Sequence, residues 1–132
     1  MGEVFYSVAL CVAMFGGAPE VSSRIDLTED SARVRADCVT DTHYIEIGFD
    51  NTASARDSVH QALFGADLRG LRPMVVILDR DGIEDTHQYE VERVAHLTGT
   101  DMRVVPVDLA MRLAMTRHFR DRRARVLAVT MN

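Results

Sequence analysis

This 132-residue chain predicts an α/β fold, a mixed sheet flanked by helices. Three observations carry that expectation: a helix, strand, strand, strand, helix, strand order; an unbroken apolar run at Met74–Leu78; and later strands alternating with helices of about 10–15 residues. Residues 3–15 form an apolar segment closed by Gly16 and Gly17, with Pro19 beyond, which is how a helix commonly stops. Residues 24–28 read as a short strand, and Glu29, Asp30 and Ser31 as a turn. Residues 33–39 and 43–49 read as two strands of a meander. Asp50, Asn51 and Thr52 break that pattern before a helix over 53–66, with an apolar stripe of Ala55, Val59, Ala62, Leu63 and Ala66. Met74–Leu78 then reads as a parallel strand buried on both faces. Helix 84–97, strand 102–107, helix 108–121 and strand 125–130 follow as C-terminal additions. No repeat or linker divides residues 1–132, so one domain is expected.

Composition narrows the partners. The chain is 47% hydrophobic and 27% charged, the balance of an ordinary globular protein. Its net charge of −5 gives no global positive field to gather nucleic acid, although binding footprints are local. Arg117, Arg120, Arg122, Arg123 and Arg125 cluster near the C-terminus and read first as a solvated helix end. Cys11 and Cys38 read as two buried thiols in a reducing compartment. The apolar run Val8–Phe15 is too short for a membrane span and lacks a basic flank, so a cytoplasmic protein with no membrane partner is expected.

The chemistry concentrates between Arg35 and Phe49. Asp37 and Glu46 fall on consecutive strands joined by a tight turn. Alternation places Arg35, Asp37 and Val39 on one face of the first strand, and Glu46 and Gly48 on one face of the second. Two carboxylates converging on a small sheet suit a hard divalent cation, which takes oxygen ligands. The plain alternative is that Asp37 pairs with Arg33 or Arg35 and that Glu46 sits on an exposed face. His43 reads as a turn histidine bonded to local backbone. His60, His87, His96 and His118 lack metal-ligand spacing, and Asp79–Gly82 reads as a turn.

The string Asp37-Cys38-x-Thr40-Asp41-x-His43-x-Ile45-Glu46 resembles the metal-dependent nuclease superfamily known by its PD-(D/E)XK pattern. More narrowly, it looks like a bacterial and phage endonuclease-like branch. Cys11, Gly16, Gly17 and Glu20 upstream, and Gln61 downstream, extend the resemblance over roughly residues 5–79. It implies a restriction-endonuclease-like core (α-β-β-β-α-β) and Mg2+- or Mn2+-dependent hydrolysis of a nucleic-acid phosphodiester. It also implies Asp37 and Glu46 as metal ligands, the Ile47 carbonyl and Glu20 as further ligands, and Gln61 beside the two acids as a catalytic residue. No organic cofactor is expected.

One departure limits this. The pattern's lysine would stand at position 48, where this chain has Gly, or in related members near Thr52. No lysine exists anywhere; all fifteen basic residues are arginine. Arg56, one helical turn past Thr52, could hold charge there but not exchange a proton. Two readings stay open: a nuclease with a degraded site, or an inactive nuclease-fold module for binding or assembly, such as a homodimer.

Overall fold

A computed structural model describes residues 2–50 and 53–116, with side chains in the second helix from residue 56 onward. The chain enters as α1 (Glu3–Leu10) and continues without a break into a π-helical turn, Cys11–Phe15. Glu3 in the first turn suits the helix dipole. Gly16, left-handed at φ 63°, closes the segment with its N–H on the Cys11 carbonyl.

Five strands follow: β1 (Ala18–Asp26), β2 (Ser31–Val39), β3 (His43–Phe49), β4 (Arg72–Asp79) and β5 (Asp101–Pro106). They form one open sheet in sequential order. β1, β2 and β3 run antiparallel through short turns, whereas β3, β4 and β5 run parallel. Parallel neighbours need crossovers, which α2 (Ala53–Arg69) and α3 (Thr86–Thr98) supply. Asp85 caps α3, its carboxylate accepting the Gln88 N–H at 2.8 Å. A fourth helix, α4, begins at residue 107 and is described to residue 116. The strand expected at 125–130 and the arginine cluster from Arg117 to Arg125 lie outside the described residues.

The sheet is apolar on both sides. On one face Tyr6 and Leu10 of α1 pack with Ile45, Ile47, Met74, Val76, Leu78 and Ala110. On the other, Val59, Ala62 and Val91 from α2 and α3 pack on Val75 and Ile77. β4 is therefore buried at every position from Met74 to Leu78, which is why its sequence shows no alternation. Each such side chain contributes about 1.5–3 kcal/mol by leaving water.

A third cluster joins Ala36, Tyr44 and Ala66, with the Tyr44 ring filling the space in front of Gly65. A methyl group at Gly65 would fall inside that ring. Ala normally stabilises a helix over Gly by about 1 kcal/mol. Overpacking a filled core costs about 1–3 kcal/mol, and here the contact is with a ring that has nowhere to go. Gly65→Ala therefore lowers the melting temperature; a variant melting at or above wild type would refute this packing.

Two expectations need correction. β1 starts at Ala18, well before residue 24, so Glu20 lies within a strand and not in a loop after the helix. Cys11 and Cys38 are not free thiols: they form a disulfide, with Cα atoms 5.4 Å apart, tying the π-helical turn to β2. The turn faces β2 directly and both sulfurs are fully buried. These cysteines thus give no argument for a reducing compartment. No helix among the described residues is long and apolar enough to cross a membrane.

Candidate metal centre

Asp37 sits where β2 changes sides. Ala36 packs toward α2 with Tyr44, whereas Cys38 packs toward α1 with Tyr6 and Leu10. Strict alternation would put both on one face, so the strand rolls over at the residue between them. Its neighbours show the same irregularity. The β2–β3 ladder has only two rungs, Cys38 with Ile45 and Val39 with Tyr44. Across from Asp37, on β1, the rung is missing and Glu20 adopts φ 54°, a left-handed conformation uncommon for a non-glycine residue. Where the ladder stops, the Asp37 side chain replaces it: Oδ2 accepts the Ile47 N–H at 2.8 Å.

That bond aims Asp37 at Glu46. The two carboxyls are close enough to shift each other's ionisation and line one cavity of about 450 Å³. Glu46 is 3% exposed, and its Oε1 has no hydrogen-bond partner. A carboxyl in that setting resists ionisation. Burial pushes Glu46 up to about 9, and the adjacent Asp37 charge adds to it. Asp37 is also raised by burial, against the opposing pull of the Ile47 N–H and the Arg35 charge. Without a cation the pair holds a proton; a cation with open positions would replace it.

Of the residues expected at this site, Asp37, Glu46, Ile47 and Gln61 line the cavity together. Glu20 does not; it stays exposed on β1, and its charge reaches Asp37 only at range. Arg56 is turned away, its Nε 2.9 Å from Glu90 on α3, so it does not stand in for the lysine. Arg35 is the one cation in the lining among the described residues. Three further lining residues, Glu3, Asp57 and Ser58, were not anticipated. Asp57, Ser58 and Gln61 are spaced i, i+1, i+4, so Asp57 and Gln61 share a helix face; that spacing was a legible signal. Glu3 had none, since only the tertiary packing of α1 brings it here, where its charge also raises Glu46.

The donor set suits a hard divalent cation. Four carboxylates, an amide and a hydroxyl line the cavity, and the unpartnered Glu46 oxygen is one that a cation would satisfy, but no three of these carboxylates bring oxygens within 4.8 Å of one another. A second acidic group, Asp50, Asp81 and Asp85, brings carboxylate oxygens within 4.8 Å of one another beyond the ends of β3 and β4. There Arg80 already supplies the positive charge, with Nε 3.1 Å from buried Asp50.

A larger cavity, about 1030 Å³, opens at the start of β3 between Phe15, Gly17, Val39 and Met74. Size does not decide the site, because among the described residues this lining brings only one carboxylate, Asp41. His43, on its rim, bonds side chains and not backbone: Nδ1 meets Thr42 Oγ1 and Nε2 meets Asp101 Oδ2, both at 2.7 Å. It fastens the β2–β3 turn to β5. Compared with known proteins, the chain matches no family model, no curated protein and no solved structure.

Proposed function

We propose that this protein is a divalent-cation-dependent nuclease of the PD-(D/E)XK type, with Asp37 and Glu46 as the cation ligands. The observation that carries the reading is a 3%-exposed glutamate with an unpartnered oxygen, beside a second carboxyl in a cavity lined with oxygen-bearing side chains. The helix, three-strand meander, helix, parallel-strand order supports a restriction-endonuclease-like core.

Asp37 is oriented by the Ile47 N–H, and Glu46 is held beside it on β3. Ile47, Gln61, Glu3 and Asp57 line the same cavity and would offer the remaining oxygens. When bound, Mg2+ or Mn2+ would supply Lewis acidity at a phosphoryl oxygen and a water of lowered pKa. Position 48 is a buried Gly, so the pattern's lysine is absent and Arg35 is the local cation. Loss of one such donor typically costs about 10²–10³ in turnover, so slow cleavage is expected.

That same deficit favours a second reading, a cation-free module that binds or assembles without chemistry. Calorimetric titration with Mn2+, and nicking of supercoiled plasmid in Mn2+, separate the two. The nuclease reading expects saturable Mn2+ binding and slow nicking, both lost in Glu46→Ala. Nicking retained by the variant, or no Mn2+ binding by the wild type, would refute it.

A further inference from the structure

The acidic cavity does not end at Gln61. A second cavity, of about 340 Å³, shares Arg35, Glu46 and Gln61 with it, so the two adjoin, and we read them as the two ends of a groove beside β2 and α2. Each part lies within the usual 300–1,000 Å³ of small-ligand sites. One end is acidic; the other is lined by Arg33, His60 and Phe64, over buried Tyr44. We propose that this groove binds single-stranded nucleic acid, with Arg33 and Arg35 on consecutive phosphates and one base stacked on Phe64. The proposal rests on the nuclease reading in one respect: the acidic end is where the scissile phosphate would lie.

Charge marks the path. Arg24, Arg56, Arg72 and Arg80 are each neutralised by a carboxylate, at 2.9, 2.9, 3.4 and 3.1 Å. Arg33 and Arg35, like Arg69, Arg93, Arg103 and Arg112, make no ion pair among the described residues, but these two are exposed and stand two positions apart on β2, just ahead of Asp37. Arg33, and Arg35 whose charge also reaches Asp37, stand beside the acidic cavity and fit an anionic chain that crosses it only when a cation is present.

Shape selects the single strand. Phe64 is 45% exposed, one turn beyond His60 on α2, and presents an aromatic surface to the groove. A base stacks on such a surface only if its own face is uncovered, as it is in an unpaired strand but not within a duplex. A duplex binder also needs many phosphate contacts, and this groove provides two.

The test uses fluorescence anisotropy with labelled deoxythymidine and uridine octamers and a 12-base-pair duplex, in Ca2+ and in EDTA. Expected results are tighter binding of either octamer than of duplex, and weakening by about 5- to 150-fold in Phe64→Ala, the range of one stacked base. Removing both arginines (Arg33→Ser with Arg35→Ser) should lower the salt slope by about 1.4, at roughly 0.7 per phosphate on a single strand. Phe64 is half-exposed, so its variant should keep the wild-type melting temperature. Equal octamer binding by wild type and Phe64→Ala, preference for duplex, or no octamer binding by protein that binds Mn2+ would each overturn the groove assignment. Weakening by Phe64→Ala in a protein that binds no Mn2+ would uphold the groove and sink only the cation site.

Discussion

Reducing the Cys11–Cys38 bond lowers the melting temperature by about 10–15 °C. The bond links positions 27 residues apart, so breaking it frees a long loop in the unfolded chain. Loop-closure entropy for that length corresponds to about 3–4 kcal/mol. For a chain of this size that difference moves the midpoint by the stated amount. The bond also fastens the π-helical turn to β2 beside Asp37, so both the frame and the candidate site depend on it. Melts with and without reductant measure the effect, and Cys11→Ala with Cys38→Ala should melt where the reduced wild type does. Identical melts would remove the loop constraint from the account of stability. Two titratable thiols in the denatured, unreduced protein would remove the bond itself.

The sequence made the central strands readable because their chemistry is monotonous. β3 runs from His43 to Phe49 as expected, and β4 extends the apolar run Met74–Leu78 by only two residues before and one after. Burial on both faces leaves no room for polar residues, so pattern and structure coincide. β1 was mostly missed for the opposite reason. It is an edge strand with no buried residue, carrying Pro19, Glu20, Ser22 and Ser23, and such a strand need not look like one. Its first half therefore carries no strand signal in the sequence, and Glu20 reads only as a residue after the first helix.

The candidate site divides in the same way. Asp37 and Glu46 were visible because motif and strand spacing named them. What holds them was not visible: alternation breaks at Asp37, and the Ile47 N–H takes the place of a ladder bond. No local propensity encodes that; it follows from β2 packing against α2 on one side of Asp37 and against α1 on the other. The disulfide was misjudged because two cysteines 27 positions apart carry no pairing signal until the helix is docked. Arg56 was placed near the cavity by sequence distance alone, and Glu90, on a helix the spacing could not position, holds it elsewhere.

Stability falls as pH rises from about 5 to 9, and Glu46 is the cause. Its folded carboxyl titrates near 9, against 4.5 for the ordinary group, so across that window the folded protein holds a proton that the unfolded chain releases. A group raised in this way contributes its full stabilisation below its unfolded value and loses it as pH climbs toward the folded value. The loss is at most about 1.4 kcal/mol per pH unit. Asp37, raised by burial as well, acts in the same direction. Tyr44, pushed up to about 12 from 10 by burial and then by the Glu46 charge, acts only above this window. Glu46→Gln keeps a neutral donor toward Asp37 and carries no proton to lose, so its stability profile should be flatter than wild type. Saturating Mn2+ should flatten the wild-type profile too, since a cation stabilises the ionised pair and adds RT ln(1 + [L]/Kd). Thermal melts at pH 5, 7 and 9, with and without Mn2+, read all of this. A wild-type profile that is flat and matches Glu46→Gln at every pH would mean that the two carboxyls are solvated and share no proton, and the cation site would lose its physical basis.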